Sequence, residues 1–205
     1  PQIRDYCKKN NDIGGNHGAK VAICRQLGYL PIPGDRHLVE FYPSLCNIRN
    51  GYAMKYGVKK TTVDHRMRMK GEGLRRIKRI VSGEEQVTWK RSGEEMSSII
   101  RAIISKKSVT TIVNMPNQGQ IANIPEGRVV ETFATITADG IQPTYSGELP
   151  GSVGSLCRLH SDVHELTVQA ALTGDRDVFV ETLSLDPASG TADFSELVAL
   201  ADELL

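Results

Sequence analysis

Strand-forming sequence is confined to two stretches of this 205-residue chain, which leaves room for only a small sheet carried among helices. Val109-Thr110-Thr111-Ile112-Val113 is β-branched throughout, which suits a pleated, half-buried surface, and it runs into the turn-rich Asn114-Met115-Pro116-Asn117-Gln118-Gly119. Val129 to Thr137 alternates apolar and polar side chains and stops at the turn signal Asp139-Gly140, so the two strands are expected to share a sheet. Helical apolar spacing marks Val153 to Leu172, Arg176 to Leu185 and Phe194 to Leu205, with Asp186-Pro187 breaking the last two apart. Residues 18–28 form a short helix stopped by Gly28, after which Pro31 and Pro33 force extended backbone through Tyr29 to Gly34. Tyr56 to Arg91 is long, charged and helix-compatible, with Gly71, Gly73 and Gly83 as breaks. Ser92 and Glu95 resemble a capping box opening Glu94 to Lys107, where Ile99, Ile100, Ile103 and Ile104 are expected to make one buried stripe.

Composition removes several function classes. With 40% hydrophobic and 24% charged residues, the chain is of ordinary globular make-up, and at this length it can bury about 70% of its unfolded surface without a disulfide staple. Its longest apolar run is far short of the roughly 20 residues that span a bilayer, and Pro1-Gln2-Ile3-Arg4-Asp5 has no signal core, so a soluble, cytoplasmic protein without membrane contact is expected. Cys7, Cys24, Cys46 and Cys157 fit neither a zinc ribbon nor a secreted framework and are expected to be reduced thiols. The net charge of +1 is a cancellation. Residues 1–54 carry 7 basic and 4 acidic groups, 55–91 carry 12 and 4, and 92–205 carry 6 and 16. The basic block offers only Tyr56 and Trp89 as stacking aromatics, matches no nucleic-acid motif and precedes an acidic half that repels phosphate. A solvated basic face, or a patch paired with the acidic half of a neighbouring subunit, is expected, and no nucleic acid.

Chemistry-bearing residues are few. Asp35-Arg36-His37 is the densest cluster: a carboxylate for proton abstraction, a guanidinium for bidentate anion binding and an imidazole that titrates near neutrality. It reads either as a functional triplet or as a surface ion-pair cluster, and three adjacent residues cannot all aim one way. Helical spacing would put Arg36 and Glu40 on one face. His160 and His164 stand at a metal-compatible helical spacing, but Ser161-Asp162-Val163 between them lack the zincin Glu and Cys157 and Glu165 are the only further ligands to hand, so solvated histidines are expected. Asn16-His17, after Gly14-Gly15, reads as a turn. No phosphate loop, GxGxxG or GxSxG is present.

Three blocks carry a family resemblance. Leu27-Gly28-Tyr29-Leu30-Pro31-Ile32-Pro33-Gly34-Asp35-Arg36-His37-Leu38-Val39-Glu40-Phe41-Tyr42-Pro43 resembles the central segment of glycoside hydrolase family 4. Val113 to Glu131, through Asn114-Met115-Pro116-Asn117-Gln118-Gly119, looks like that family's Asn-rich loop and following strand, and Gly140-Ile141-Gln142-Pro143, Gly147-Glu148-Leu149-Pro150 and Leu185-Asp186-Pro187 fall in the family's order. The resemblance implies an α+β fold similar to the C-terminal domain of lactate and malate dehydrogenases, with 1–17 as an irregular N-terminal segment and 18–205 as a catalytic or oligomerisation domain. It also implies an NAD- and divalent-metal-dependent glycosidase, Mn²⁺ being the expected metal. In that chemistry NAD oxidises the sugar at C3, a base removes the acidified C2 proton, the metal stabilises the enediolate, the aglycone leaves, water adds and the hydride returns. By position the resemblance gives Asp35 proton abstraction; Arg36 is the candidate for recognition of a substrate anion, His37 for orienting or assisting the base, and Asn117 for lining the site. The substrate would be an α-galacturonide, if Arg36 pairs with a uronate, or otherwise an α-glucoside or α-galactoside.

The family's glycine-rich dinucleotide turn and its metal-ligating Cys and His have no counterpart in these residues, so no metal ligand and no NAD-binding residue is assigned. The chain is expected to be a truncated or split portion of a full enzyme, inactive alone, whose partners are a sugar and either further copies of itself or an N-terminal nucleotide-binding half. The alternative is a non-catalytic oligomerisation or regulatory subunit, or a pseudoenzyme.

Overall fold

The computed structural model describes residues 2–9, 17–42, 44–45, 54–58, 61–90, 92–93 and 95–205, which divide into two compact units, Lys59–Glu94 and the remainder of the chain. Helix α1 spans Gln2–Lys9, where irregular chain was expected. It buries Cys7 against Val21 and Cys24 of helix α2, Gly18–Leu27, and the Cys7 carbonyl accepts a bond of 3.0 Å from Arg25 Nε. Eight mostly polar residues with one buried side chain give almost no periodic signal, and so short a helix is held by packing rather than propensity.

Helix α2 ends where Gly28 takes φ 84° and returns its N–H to the Cys24 carbonyl at 2.9 Å, a left-handed stop open to glycine. Its other side contributes Ala19 and Ile23 to a core with Val58, Leu45 and, from helix α3 at Asp35–Phe41, Leu38 and Val39. Burying each aliphatic side chain there contributes about 1.5–3 kcal/mol.

In the second unit, helix α4 runs unbroken from Val63 to Val81. Gly71 and Gly73, expected as breaks, lie inside it, and only Gly83, at φ 81°, ends it. Thr62 caps its start by accepting the His65 N–H at 3.2 Å, and Glu85 folds back to accept bonds from Arg76 Nε at 2.7 Å and Arg79 Nη2 at 2.9 Å.

In the first unit, helix α5, Met96–Ile104, lies against the sheet. Its N-cap is Glu95, whose side chain makes no capping bond, so the expected box with Ser92 is not formed. The isoleucine stripe is not buried either: Ile103 is 50% and Ile104 78% exposed, and the residue turned inward is Ala102. Strands β1, Val109–Pro116, and β2, Val129–Thr137, pair antiparallel as expected, with Ile112 opposite Phe133. A third strand, β3, Gly140–Pro143, adds to β2 through the Asp139-Gly140 turn, so the order is β1-β2-β3. Four residues beginning with glycine and ending with proline are too few to alternate visibly. Thr132, Ala134 and Ile136 form the buried face of β2.

Helices α6, Gly151–Thr173, α7, Arg176–Leu185, and α8, Phe194–Leu204, pack in succession. Asp175 caps α7, and Asp193 and Glu196 form a reciprocal capping box on α8. Arg128, just before β2, binds Asp162 at 3.1 Å and Glu165 at 2.7 Å, tying the sheet to α6. The α+β class is as expected. Among the described residues no helix is long and apolar enough to cross a membrane.

Burial, with the hydrogen-bonded Cys7 thiol beside it, pushes the Cys24 thiol from 9.0 up to about 11. Because the folded value is raised, this contribution to stability is complete below pH 9 and is lost as pH climbs through 11. At pH 8, mass-spectrometric mapping after iodoacetamide should find Cys157, which is exposed, alkylated and Cys24 intact unless denaturant is present. Alkylation of Cys24 in the native chain at the Cys157 rate would contradict this packing.

Candidate functional site

The proline-stiffened lead-in does what its sequence predicts: it delivers a new helix. Lys20 Nζ holds the Ile32 carbonyl at 3.0 Å, and the carbonyl of Gly34, the N-cap, accepts the His37 and Leu38 N–H groups, both at 2.9 Å. Helix α3 is amphipathic in an unusual way, because its inner face carries a carboxylate. Asp35, Leu38 and Val39 are buried, whereas Arg36, His37 and Glu40 are exposed.

Asp35 uses both oxygens on the start of α2: Oδ2 accepts the Ala19 N–H at 2.8 Å and Oδ1 the Lys20 N–H at 3.1 Å. These donors belong to the first turn of α2 and have no partner within that helix, so a carboxylate from α3 satisfies them and complements the helix dipole. Asp35, expected by resemblance to abstract a proton, is here buried and caps the start of α2. His37 and Glu40 approach only to 3.8 Å with His37 73% exposed, a loose pair on the outer face with Arg36.

The far end of α3 is held by α6. His160 Nε2 donates to the Phe41 carbonyl at 2.8 Å, and its ring meets the Phe41 ring edge-on, centroids 4.9 Å apart at 87°. His160 was expected to be solvated; only His164 is exposed. The signal was available, since Val153, Leu156, His160 and Val163 recur at helical spacing and place His160 on the packed face of α6. Asp35 at one end, Leu38 and Val39 in the middle and His160 at the other end thus fix which way Arg36 and His37 point.

Asn117 lies apart from this arrangement in its bonding. It is 1% exposed; its Nδ2 donates to the carbonyls of Ile121 at 3.0 Å and Ile124 at 2.7 Å, and its Oδ1 accepts the Ile121 N–H at 3.1 Å. Its backbone closes the same loop through Arg128 and Gly127. Asn123 works likewise, exchanging two bonds with the Leu149 backbone at 2.8 and 2.9 Å. The Asn-rich segment is a loop folded around its own amides, and Asn117, expected to line the site, organises that loop from inside.

Among the described residues no group of three or more His, Cys, Asp or Glu converges to hold a metal. His17 precedes α2 with Nδ1 buried and unpaired, but Asn16 lies outside the described residues and no other ligand joins it. The described residues do not fit a divalent metal.

Residues 1–189 match the C-terminal domain of family 4 glycosyl hydrolases. The chain belongs to that family. The family 4 match begins at residue 1 and so includes α1. An α-galacturonidase of Lachnoclostridium phytofermentans is 33% identical over 96% of this chain and 43% of its own length, and one of Thermoanaerobacterium saccharolyticum is 35% identical over 87% and 38%. The crystal structure of a Bacillus subtilis protein named as a glucosidase superposes with a TM-score of 0.88 at 28% identity, over 99% of this chain and 49% of that one. A 6-phospho-β-glucosidase of Thermotoga maritima, solved with manganese, NAD⁺ and glucose-6-phosphate, shares the fold at a TM-score of 0.66 and 16% identity, over 98% of this chain and 46% of that one. This family 4 domain spans half or less of the length of the relatives it matches.

Proposed function

We propose that this family 4 domain is the substrate-facing part of an α-glycosidase that acts on α-galacturonides, and that the outer face of α3 meets the sugar. The observation that carries the reading is that relatives 33–35% identical over nearly the whole chain are α-galacturonidases, combined with Arg36 standing on the exposed face of a helix locked at both ends. A guanidinium fork matches a carboxylate bidentately, which suits it to the C6 group that distinguishes a galacturonide from a galactoside. His37, one residue on, orients or assists proton transfer, since an imidazole is the side chain that titrates near neutral pH. Asp35 and Asn117 serve as positioning residues, one setting α3 against α2 and the other shaping the loop after β1. NAD and a divalent metal, Mn²⁺ by family likeness, are supplied from a nucleotide-binding half that completes the enzyme.

The test assays the chain alone and with the nucleotide-binding half of a family 4 α-galacturonidase, with NAD and Mn²⁺, on nitrophenyl α-galacturonide and α-galactoside. Silence alone and turnover on mixing are expected, with kcat/KM favouring the galacturonide by about 100-fold, the equivalent of one good charge-assisted pair. Arg36→Ala should erase most of that preference. Equal turnover of the two sugars would discard the uronate assignment, and silence of the mixture would favour a non-catalytic family 4 subunit.

A further inference from the structure

Helix α4 differs from every other α-helix among the described residues in having no buried residue. Five of its seven large apolar side chains nevertheless keep one order: Val63, Met67, Leu74, Ile77 and Val81, with Lys70 in the remaining place, alternate spacings of four and three, while Met69 and Ile80 lie off this line. A period of 3.5 is the mark of a helix that pairs along a seam with another helix. The five apolar members are 78, 62, 52, 57 and 82% exposed. A lone helix of this length with an uncovered seam is marginal in water.

Two further features say what covers it. Gly71 and Gly73 sit at the middle of α4 on the two flanks of the seam, where glycine weakens a helix. A Cβ at Gly73 would meet nothing within 4 Å, and one at Gly71 only the end of the Arg75 side chain, so nothing in the described chain requires them to be bare. Bare positions at mid-helix suit the close approach of a second backbone. The charges select which one. Crossing α4 antiparallel with an identical helix about residue 72 sets Val63 against Val81, Met67 against Ile77, and the stem of Lys70 over Leu74 of the second copy. On the flanks, Asp64 then faces Lys78, Arg66 lies beside Ile80, and Gly71 and Gly73 each meet their own counterparts. A helix with 7 basic and 2 acidic residues thus pairs with itself without a like-charge contact across the seam. Arg76 and Arg79 are drawn off to the other side by Glu85. A parallel pair would instead place Lys70 against Lys70 in the seam.

We propose that α4 is a self-association surface: it pairs antiparallel with α4 of a second copy of this chain about a two-fold axis near Gly71 and Gly73. The pairing is independent of the sugar chemistry and leaves the outer face of α3 untouched by mutation. Sedimentation equilibrium of the 205-residue chain should show a reversible dimer whose dissociation constant rises at least 100-fold in Leu74→Glu/Ile77→Glu, with the circular dichroism of the rest of the chain retained. Asp64→Lys should weaken the dimer about tenfold, and Asp64→Lys/Lys78→Asp should restore it. In a Cys157→Ser background, Gly73→Cys should cross-link two copies on oxidation, while Glu72→Cys, on the outer side of the helix, should not. A monomer at all concentrations, a dimer indifferent to the seam substitutions, or equal cross-linking at 72 and 73 would overturn the proposal.

Discussion

Replacing Asn117 with aspartate is expected to cost about 4 kcal/mol of stability, read as a lowered urea midpoint at unchanged slope. The side chain is nearly isosteric, so packing is not the issue. The Nδ2 group of Asn117 donates to two carbonyls, Ile121 and Ile124, inside a buried loop. A carboxylate there would direct an oxygen at both, unpaired and away from water, which is the most destabilising kind of buried polar change. Asn117→Ala removes the same bonds without adding a charge and should cost about 2 kcal/mol, the scale of one or two unsatisfied buried groups. The aspartate penalty should shrink as pH falls and the new carboxyl gains a proton it can donate. Equal stability of the two variants at pH 7 would contradict the bonding described for this loop.

Asp35→Ala is expected to lower stability by about 2–3 kcal/mol, at the upper end of helix-cap substitutions because the two N–H groups it satisfies are at the start of a helix whose next residues are buried. The loss should be local as well as global. Native-state hydrogen exchange of the Ala19 and Lys20 amides, slow in the parent chain, should become fast in the variant well before the core of α6 opens. Unchanged protection of those two amides would mean that the carboxylate does not hold them in solution.

Much of this arrangement was legible before any coordinates. Gly28 as a helix stop, β1 and β2 as partners and the three C-terminal helices follow from local rules that tertiary contacts reinforced. Where structure and sequence pattern differ, the physical reason is shared: local patterns do not say what lies opposite. Helix α1 exists because α2 offers Cys7 a place, and β3 exists because β2 has a free edge. The isoleucines of α5 have helical spacing, yet the small Ala102 is what lets that helix approach its neighbours. Gly71 and Gly73 read as breaks because a single helix has no use for them. At the candidate site, the density of ionisable residues at 35–37 was visible, but its division between two faces required knowing that α2 presents unpaired N–H groups to α3. The type of His160 suggests a solvated group, whereas its spacing places it among apolar neighbours.

The division of α3 into an inward cap and an outward recognition face is tested most directly by kcat of Asp35→Asn. The assay uses the complete assembly with NAD and Mn²⁺ on an α-galacturonide, well below the variant's unfolding temperature. An amide keeps one acceptor for the α2 amides but cannot abstract a proton. If Asp35 is a positioning residue, kcat should stay within about tenfold of the parent value, since losing a general base costs roughly 10²–10⁴-fold. A folded Asp35→Asn enzyme slowed by about a thousandfold or more would show that this carboxylate does the chemistry and that α3 turns its other face to the sugar.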